Sequence, residues 1–137
     1  MLDSGVLGAL AHPRANAQLA LWLERTLASG TQIIIPEIAD YEVRRSLLLE
    51  RLSKSLTRLD QLKAVLAYQP INTDTMLKAA ELWAETRRQG RPTADPKALD
   101  GDVILAAQAS QAGAVVVTDN VGHLATLVEA QRWQDTR

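Results

Sequence analysis

The chain contains no cysteine and no phenylalanine, and its aromatic residues are two tyrosines and three tryptophans in a length of 137. The first absence removes disulfides, thiolate zinc sites and cysteine nucleophiles together, and it fits a protein made and kept in the cytoplasm. Scarce aromatic surface means that sequence reading through stacked nucleobases is not expected. An excess of either charge is also missing: 15 basic and 16 acidic residues leave a net charge of −1. Whole-molecule electrostatics therefore neither demands nor excludes a polyanionic partner, and any anionic ligand must be held by local groups. No uncharged apolar stretch approaches the roughly 18 residues that span a bilayer. The first ten residues include Asp3 and carry no cationic segment ahead of an apolar one, so neither a leader nor a membrane association is expected. The two histidines, His12 and His123, are far apart and lack the i, i+4 spacing of a two-histidine zinc motif.

What is present is a 47% apolar composition, enough for one buried core, with no repeat, low-complexity tract or dividing linker. A single domain over residues 1–137 is expected. Met1 and Leu2 lead into Asp3 as the end of a very short strand. Residues 16–27 show helical apolar spacing at Leu19, Ala20, Leu23 and Leu27, stopped by Ser29 and Gly30. Residues 33–35 form a β-branched run, and Pro36 then suits the first turn of a helix. From residue 37 to 67, Leu49, Leu52, Leu56, Leu59 and Leu66 keep a helical spacing that holds either one bent helix or two, with the break at Leu52-Ser53-Lys54-Ser55. Asp74 is the expected N-cap of a helix running to about Arg88, and residues 90–96 form a loop leading to Asp100, itself an expected N-cap. Residues 103–112 are apolar or small almost all round and predict a buried helix. Gly113 then turns the chain into a strand over 114–118.

Strands separated by helices predict an α/β fold with a central parallel sheet flanked by helices, whose ligands bind beyond the carboxyl ends of the strands. Asp3 and Asp119 each follow a strand and fall at that edge. At about 100° per residue, Glu42 shares a face with Arg45, Leu49, Leu52, Leu56 and Leu59, the face that should meet the sheet. Asp102 is similarly in line with Leu105, Ala106 and Ala109. Uncompensated carboxylates near a core are costly unless paired, hydrogen-bonded or bound to a cation, so four of one sign call for a cation. Each has a plainer reading: a helix-terminus interaction for Asp102, a strand-to-helix turn for Asp119, and an i, i+3 pair with Arg45 for Glu42.

Four segments, Leu2-Asp3-Ser4-Gly5-Val6-Leu7, Ile38-Ala39-Asp40-Tyr41-Glu42-Val43-Arg44-Arg45, Asp102-Val103-Ile104-Leu105-Ala106-Ala107-Gln108-Ala109 and Val117-Thr118-Asp119-Asn120, resemble the PIN-domain nucleases in order and spacing. The resemblance covers essentially the whole chain, whose size is like that of the VapC-like toxins of bacterial toxin–antitoxin pairs. It implies a PIN-like three-layer fold in which Asp3, Glu42, Asp102 and Asp119 bind Mg²⁺ or Mn²⁺ and cleave RNA, with Thr118 at a supporting hydroxyl position. It also implies a homodimer and a cognate antitoxin partner. Products would carry 5′-phosphate and 3′-hydroxyl ends. Oxygen donors without thiolates suit these hard cations, which activate water and neutralise charge developing on a phosphate. Two departures stand out: only two residues precede Asp3, so the first strand is short, and Gly5 replaces a polar residue often found two after that Asp.

Around this set, Arg45 is the candidate phosphate contact, and Asp100 is a candidate accessory ligand. Arg44, Arg51 and Arg58 are expected on a solvated face, whereas Arg87, Arg88 and Arg91 could guide an RNA backbone. His123, four residues after Asp119, is read as a helix-start residue near the rim. Trp22, Trp83 and Trp133 read as packing. The leucine face between Leu47 and Leu66 is either buried within the chain or a partner surface. Other readings are an RNA-processing nuclease without toxicity, a receiver-like Mg²⁺-binding signalling domain, and a non-catalytic interaction module.

Overall fold

The sides taken by alternate residues define the central layer of the computed structural model, which describes residues 1–90 and 99–136, without the side chains of Leu99 and His123. Ile33 and Ile35 pack with Leu2 and Val117 in one apolar cluster, whereas Ile34 packs with Met1 and Val116 in another. Neighbouring side chains on a strand point to opposite faces, so these two clusters lie on either side of one sheet.

Strand β1 (Ile34–Pro36) pairs in parallel with β2 (Ala67–Gln69), and β3 (Val116–Val117) pairs in parallel with β4 (Ala130–Gln131). Residues 1–3 join the two pairs. Leu2 N–H donates to the Ile34 carbonyl at 3.0 Å, Asp3 N–H donates to that of Val117 at 3.1 Å, and Val117 N–H donates to that of Met1 at 2.7 Å. The layer therefore runs β2, β1, residues 1–3, β3, β4. The expected parallel sheet is present, with strands shorter than the apolar runs that announce them. Strands β2 and β4 were not expected.

Helices cover both faces. One side takes α1 (Ser4–Ala11), α2 (Ala17–Ala28), α3 (Glu37–Leu49) and α4 (Ser53–Val65), which supply Val6, Leu7, Leu19, Val43 and Leu59 to the first cluster. The other side takes α6 (Leu99–Ala112) and the short α7 (Val121–Leu124), through Leu105, Ala109 and Leu124. Helix α5 (Thr73–Arg88) packs on α6, where Ala79 meets Val103 and Ala107. As expected, α6 is largely buried over residues 103–109, although Ser110, Gln111 and Ala112 are exposed, and Gly113 at φ +60° turns the chain toward β3. Trp22 and Trp133 pack on the first cluster and Trp83 on the α5–α6 seam, in line with their expected role.

Several expectations are corrected. The stretch 37–67 is two helices, one of the two expected arrangements, but the break spans residues 50–52 and meets the expected site only at Leu52; there Arg51 adopts φ +54° and Leu52 N–H closes onto the Leu47 carbonyl at 2.9 Å. One angular count along both helices therefore fails: Leu49 is 84% exposed, while Ile38, Ala39 and Val43 carry α3 into the core. The same break removes two arginines from the solvated face. Arg44 bridges Asp40 at 2.9 Å and Asp60 at 2.8 Å, tying α3 to α4, and Arg58 donates to the Leu10 carbonyl at 3.1 Å. Leu59 and Leu66 are buried within the chain, leaving Leu48, Leu49 and Leu52 exposed.

Helix α5 is capped by Asn72, not Asp74. Its side chain accepts from Thr75 N–H at 2.9 Å, and Thr75 Oγ1 accepts from Asn72 N–H at 3.2 Å. Asp100 lies inside the first turn of α6 instead of ahead of it. Most of the loop expected at 90–96, including Arg91, falls outside the described residues.

Candidate active site

Asp3 ends the central parallel segment and caps α1, its Oδ1 accepting from Val6 N–H at 2.8 Å. Gly5 N–H and the Thr118 hydroxyl also donate to this carboxylate. Thr118 is wholly buried just beyond β3, and its Oγ1 accepts from Asn120 N–H at 2.9 Å. One hydroxyl thus links the ends of two adjacent parallel segments. Burial raises the Asp3 pKa above the usual carboxylate range, and Asp119 pushes it the same way. The three hydrogen bonds favour the ionised form but do not offset burial.

Glu42 projects from α3 and is half-buried. Burial again raises its pKa, Arg45 lowers it, and Asp102 and Asp3 raise it further. Arg45 Nη2 is 3.9 Å from Glu42 Oε2, and its guanidinium stands 5.1 Å from the centre of the exposed Tyr41 ring. Asp102 is in the first turn of α6 and partly buried, and Asp119 is exposed after Thr118. The structure therefore brings the four expected acids into one electrostatic neighbourhood: Asp3 feels Asp119, and Glu42 feels both Asp102 and Asp3. A shallow cavity beside Glu42 is lined by Ser4, Gly5, Gly8, Arg45 and Ser46.

Asp100 is placed elsewhere. It lines a groove between α5 and α6 with Met76, Ala79, Trp83 and Val103, and it is not among the charges acting on Asp3 or Glu42. His12 ends α1 and accepts from Arg14 N–H at 3.0 Å, and His123 lies within α7. Arg87 stacks on Trp83 at 4.7 Å, and Arg88 pairs with Glu85 at 3.5 Å.

Gly101 belongs to this site and was not singled out from the sequence. A methyl group on its α-carbon would lie 3.0 Å from Glu42 Oε2 and 3.3 Å from Oε1. A glycine inside a helix, flanked by two acids, was the available signal, since glycine disfavours helix interiors and marks close approaches. Tyr41 was also missed; only its place beside Glu42 hinted at it.

Among the described residues no three acidic or histidine side chains stand together at the spacing of a bound ion. The donor chemistry nevertheless fits a hard divalent cation. The neighbourhood offers carboxylate oxygens, is shielded from water at Asp3 and Glu42, and suffers repulsion that a cation relieves. Mg²⁺ commonly takes one or two carboxylates directly and keeps water on its other positions.

A family model described as PIN domain matches residues 1–125. Among solved structures, VapBC2 from Rickettsia felis bound to a promoter DNA fragment aligns at a TM-score of 0.81 and 18% identity, covering 97% of each chain. FitAcB from Neisseria gonorrhoeae aligns at 0.72 and 19%, covering 98% of each chain. DNA-bound VapBC from Salmonella typhimurium aligns at 0.73 and 21%, covering 97% of this chain and 96% of the other. No curated protein matches the chain in sequence. At these identities the structural likeness speaks for the fold.

Proposed function

We propose that this chain, which belongs to the PIN domain family, is a Mg²⁺- or Mn²⁺-dependent endoribonuclease acting as the toxin of a toxin–antitoxin pair. Residues 1–137 would act as one domain in the cytoplasm. The observation that carries the reading is the electrostatic linkage of four acids from distant parts of the chain, Asp119 to Asp3 to Glu42 to Asp102, at the carboxyl edge of a parallel sheet.

Asp3, Glu42, Asp102 and Asp119 would hold the ion, directly or through water. A bound divalent cation supplies an acidified water and neutralises charge developing on the phosphodiester. The rest of the work belongs to the protein. Thr118 orients the Asp3 carboxylate, and the backbone N–H groups of Gly5 and Val6 keep its oxygens in place. Arg45, 58% exposed at the rim, receives the RNA phosphate. Asp100, facing α5, would serve at most as an outer contributor.

Structures of VapBC assemblies among the similar folds support a cognate antitoxin as partner. The active form would be a homodimer. No helix among the described residues is long and apolar enough to cross a membrane.

RNA incubated with the parent protein should be cut with Mg²⁺ or Mn²⁺, leaving 5′-phosphate and 3′-hydroxyl ends, and chelator should stop it. Asp102→Asn should abolish cutting. Cleavage that persists in chelator or in Asp102→Asn rejects the reading. Growth arrest on expression, relieved by a co-expressed small neighbouring gene product, tests the toxin role separately.

A further inference from the structure

We propose that Gly101 is a positioning residue for Glu42: its missing side chain leaves the space in which the Glu42 carboxylate rests against the first turn of α6, beside Asp102. The inference rests on the reading of Glu42 as a cation ligand.

Gly101 is not a glycine that its backbone requires. The glycines with left-handed φ are Gly30, Gly90 and Gly113, and Gly101 is not among them. Its position in α6 would suit alanine better on helical preference alone. What distinguishes the position is its neighbour. The three nearest heavy atoms to an added methyl all belong to Glu42: Oε2 at 3.0 Å, Oε1 at 3.3 Å and Cδ at 3.4 Å. Nothing from the packed core or from another backbone lies nearer. A methyl group would therefore meet the free end of a flexible side chain, and the strain would be relieved by the carboxylate withdrawing and not by the helix moving.

Withdrawal changes the site because the open space at Gly101 is what lets the Glu42 carboxylate rest beside Asp102. Arg45, 3.9 Å away, attracts it, and Asp102 and Asp3 repel it, so charge alone favours its departure when no cation is bound. With the space at Gly101 filled, the carboxylate loses its seat beside Asp102 and swings toward Arg45. The pair then no longer presents two carboxylates to one ion. Glycine at this position thus trades helix preference for a shared ligand position.

The test uses full-length parent protein, Gly101→Ala, Glu42→Asp and the double variant, with Mn²⁺ titrated calorimetrically and thermal melting measured in chelator. Gly101→Ala should melt at or above the parent temperature yet bind Mn²⁺ about tenfold or more weakly, the size typical of altered ligand orientation. Glu42→Asp alone should also weaken binding, because the shortened carboxylate falls short of the ion. In the double variant the shorter side chain no longer meets the methyl, so adding Gly101→Ala to Glu42→Asp should cost little or no further Mn²⁺ affinity. Parent-like Mn²⁺ affinity in Gly101→Ala, additive losses in the double variant, or a lowered melting temperature would each overturn the positioning role while leaving the site standing. Absence of saturable Mn²⁺ binding by the parent would instead overturn the site itself.

Discussion

Gln69 and Gln108 exchange hydrogen bonds: Gln69 Nε2 donates to the Gln108 carbonyl at 3.0 Å, and Gln108 Nε2 donates to the Gln69 carbonyl at 2.8 Å. The remaining amide oxygen of the fully buried Gln108 accepts from Ile38 N–H at 3.2 Å. That N–H lies in the first turn of α3, where helix donors have no intrahelical partner and Pro36 offers no side-chain cap. Gln108 therefore caps α3 from α6 and anchors α6 to β2. Because α3 carries Glu42 and α6 carries Asp102, one side chain sets the relative position of the two acids.

Gln108→Leu should lower unfolding stability by about 2–3 kcal/mol, since it strands a buried N–H and a carbonyl without replacing either partner. Urea denaturation of the metal-free protein measures this. A loss below about 0.5 kcal/mol would show that neither group depends on Gln108.

The Thr118 hydroxyl donates to Asp3 and accepts from Asn120 N–H, so Thr118→Val and Thr118→Ser should separate. Valine keeps the shape but removes both bonds at a wholly buried position, at a cost of about 1–3 kcal/mol, and leaves Asp3 less orderly. Serine keeps the hydroxyl and should retain most of the cleavage activity that valine loses. Equal activity in the two variants would remove Thr118 from any role at Asp3.

Stability should depend on pH in a direction opposite to that of paired carboxylates. Asp3 and Glu42 have folded pKa values raised above their ordinary 3.8 and 4.5, chiefly by burial. The fold therefore binds their protons more tightly than the unfolded chain does. Their contribution is fully present below the ordinary values and is lost as pH rises through the folded ones. In chelator, Glu42→Gln should accordingly gain melting temperature relative to the parent as pH rises from about 4 toward neutrality, and Mn²⁺ should reduce that gain by stabilising the parent. A constant difference between variant and parent across this range would refute the shift at Glu42.

Legibility followed the length and independence of each element. Helix α6 was readable because small and apolar residues surround its whole circumference, and α2 because Asn16 caps a clear apolar spacing. Strands β2 and β4 were not, since Ala67–Gln69 and Ala130–Gln131 are too short for alternation to emerge and gain their identity only from parallel neighbours. Asn72 was passed over for Asp74 because both are good cap residues, and the choice is made by the reciprocal bond with Thr75. At the candidate site, the neighbourhood of Asp3 and Asp119 follows from adjacent parallel segments. The face of Glu42 was argued from a helix taken as unbroken. Its nearness to Asp102 and Asp3 survives the break at Arg51 because Glu42 lies ahead of it. The same break explains why Arg44, thought solvated, is held between Asp40 and Asp60.

Arg45 offers the sharpest separation of substrate binding from ion binding. Its guanidinium is more than half exposed, reaches Glu42 only at 3.9 Å and rests over the Tyr41 ring, so it is oriented without being consumed by a close ion pair. Such a group can exchange its loose partner for a phosphate oxygen, and a fork of donors suits that acceptor. Arg45→Ala, placed in the inactive Asp102→Asn background, should weaken binding of single-stranded RNA and reduce the slope of log affinity against log salt by about 0.7, the value for one lost phosphate contact. The same substitution in the otherwise unaltered protein should leave Mn²⁺ affinity undiminished, because removing a cation beside Glu42 makes the site more attractive to another. An unchanged salt slope would exclude Arg45 as a phosphate contact. Weaker Mn²⁺ binding would instead show that Arg45 holds Glu42 in its ligating position, making the pair part of the ion site and not of the RNA path.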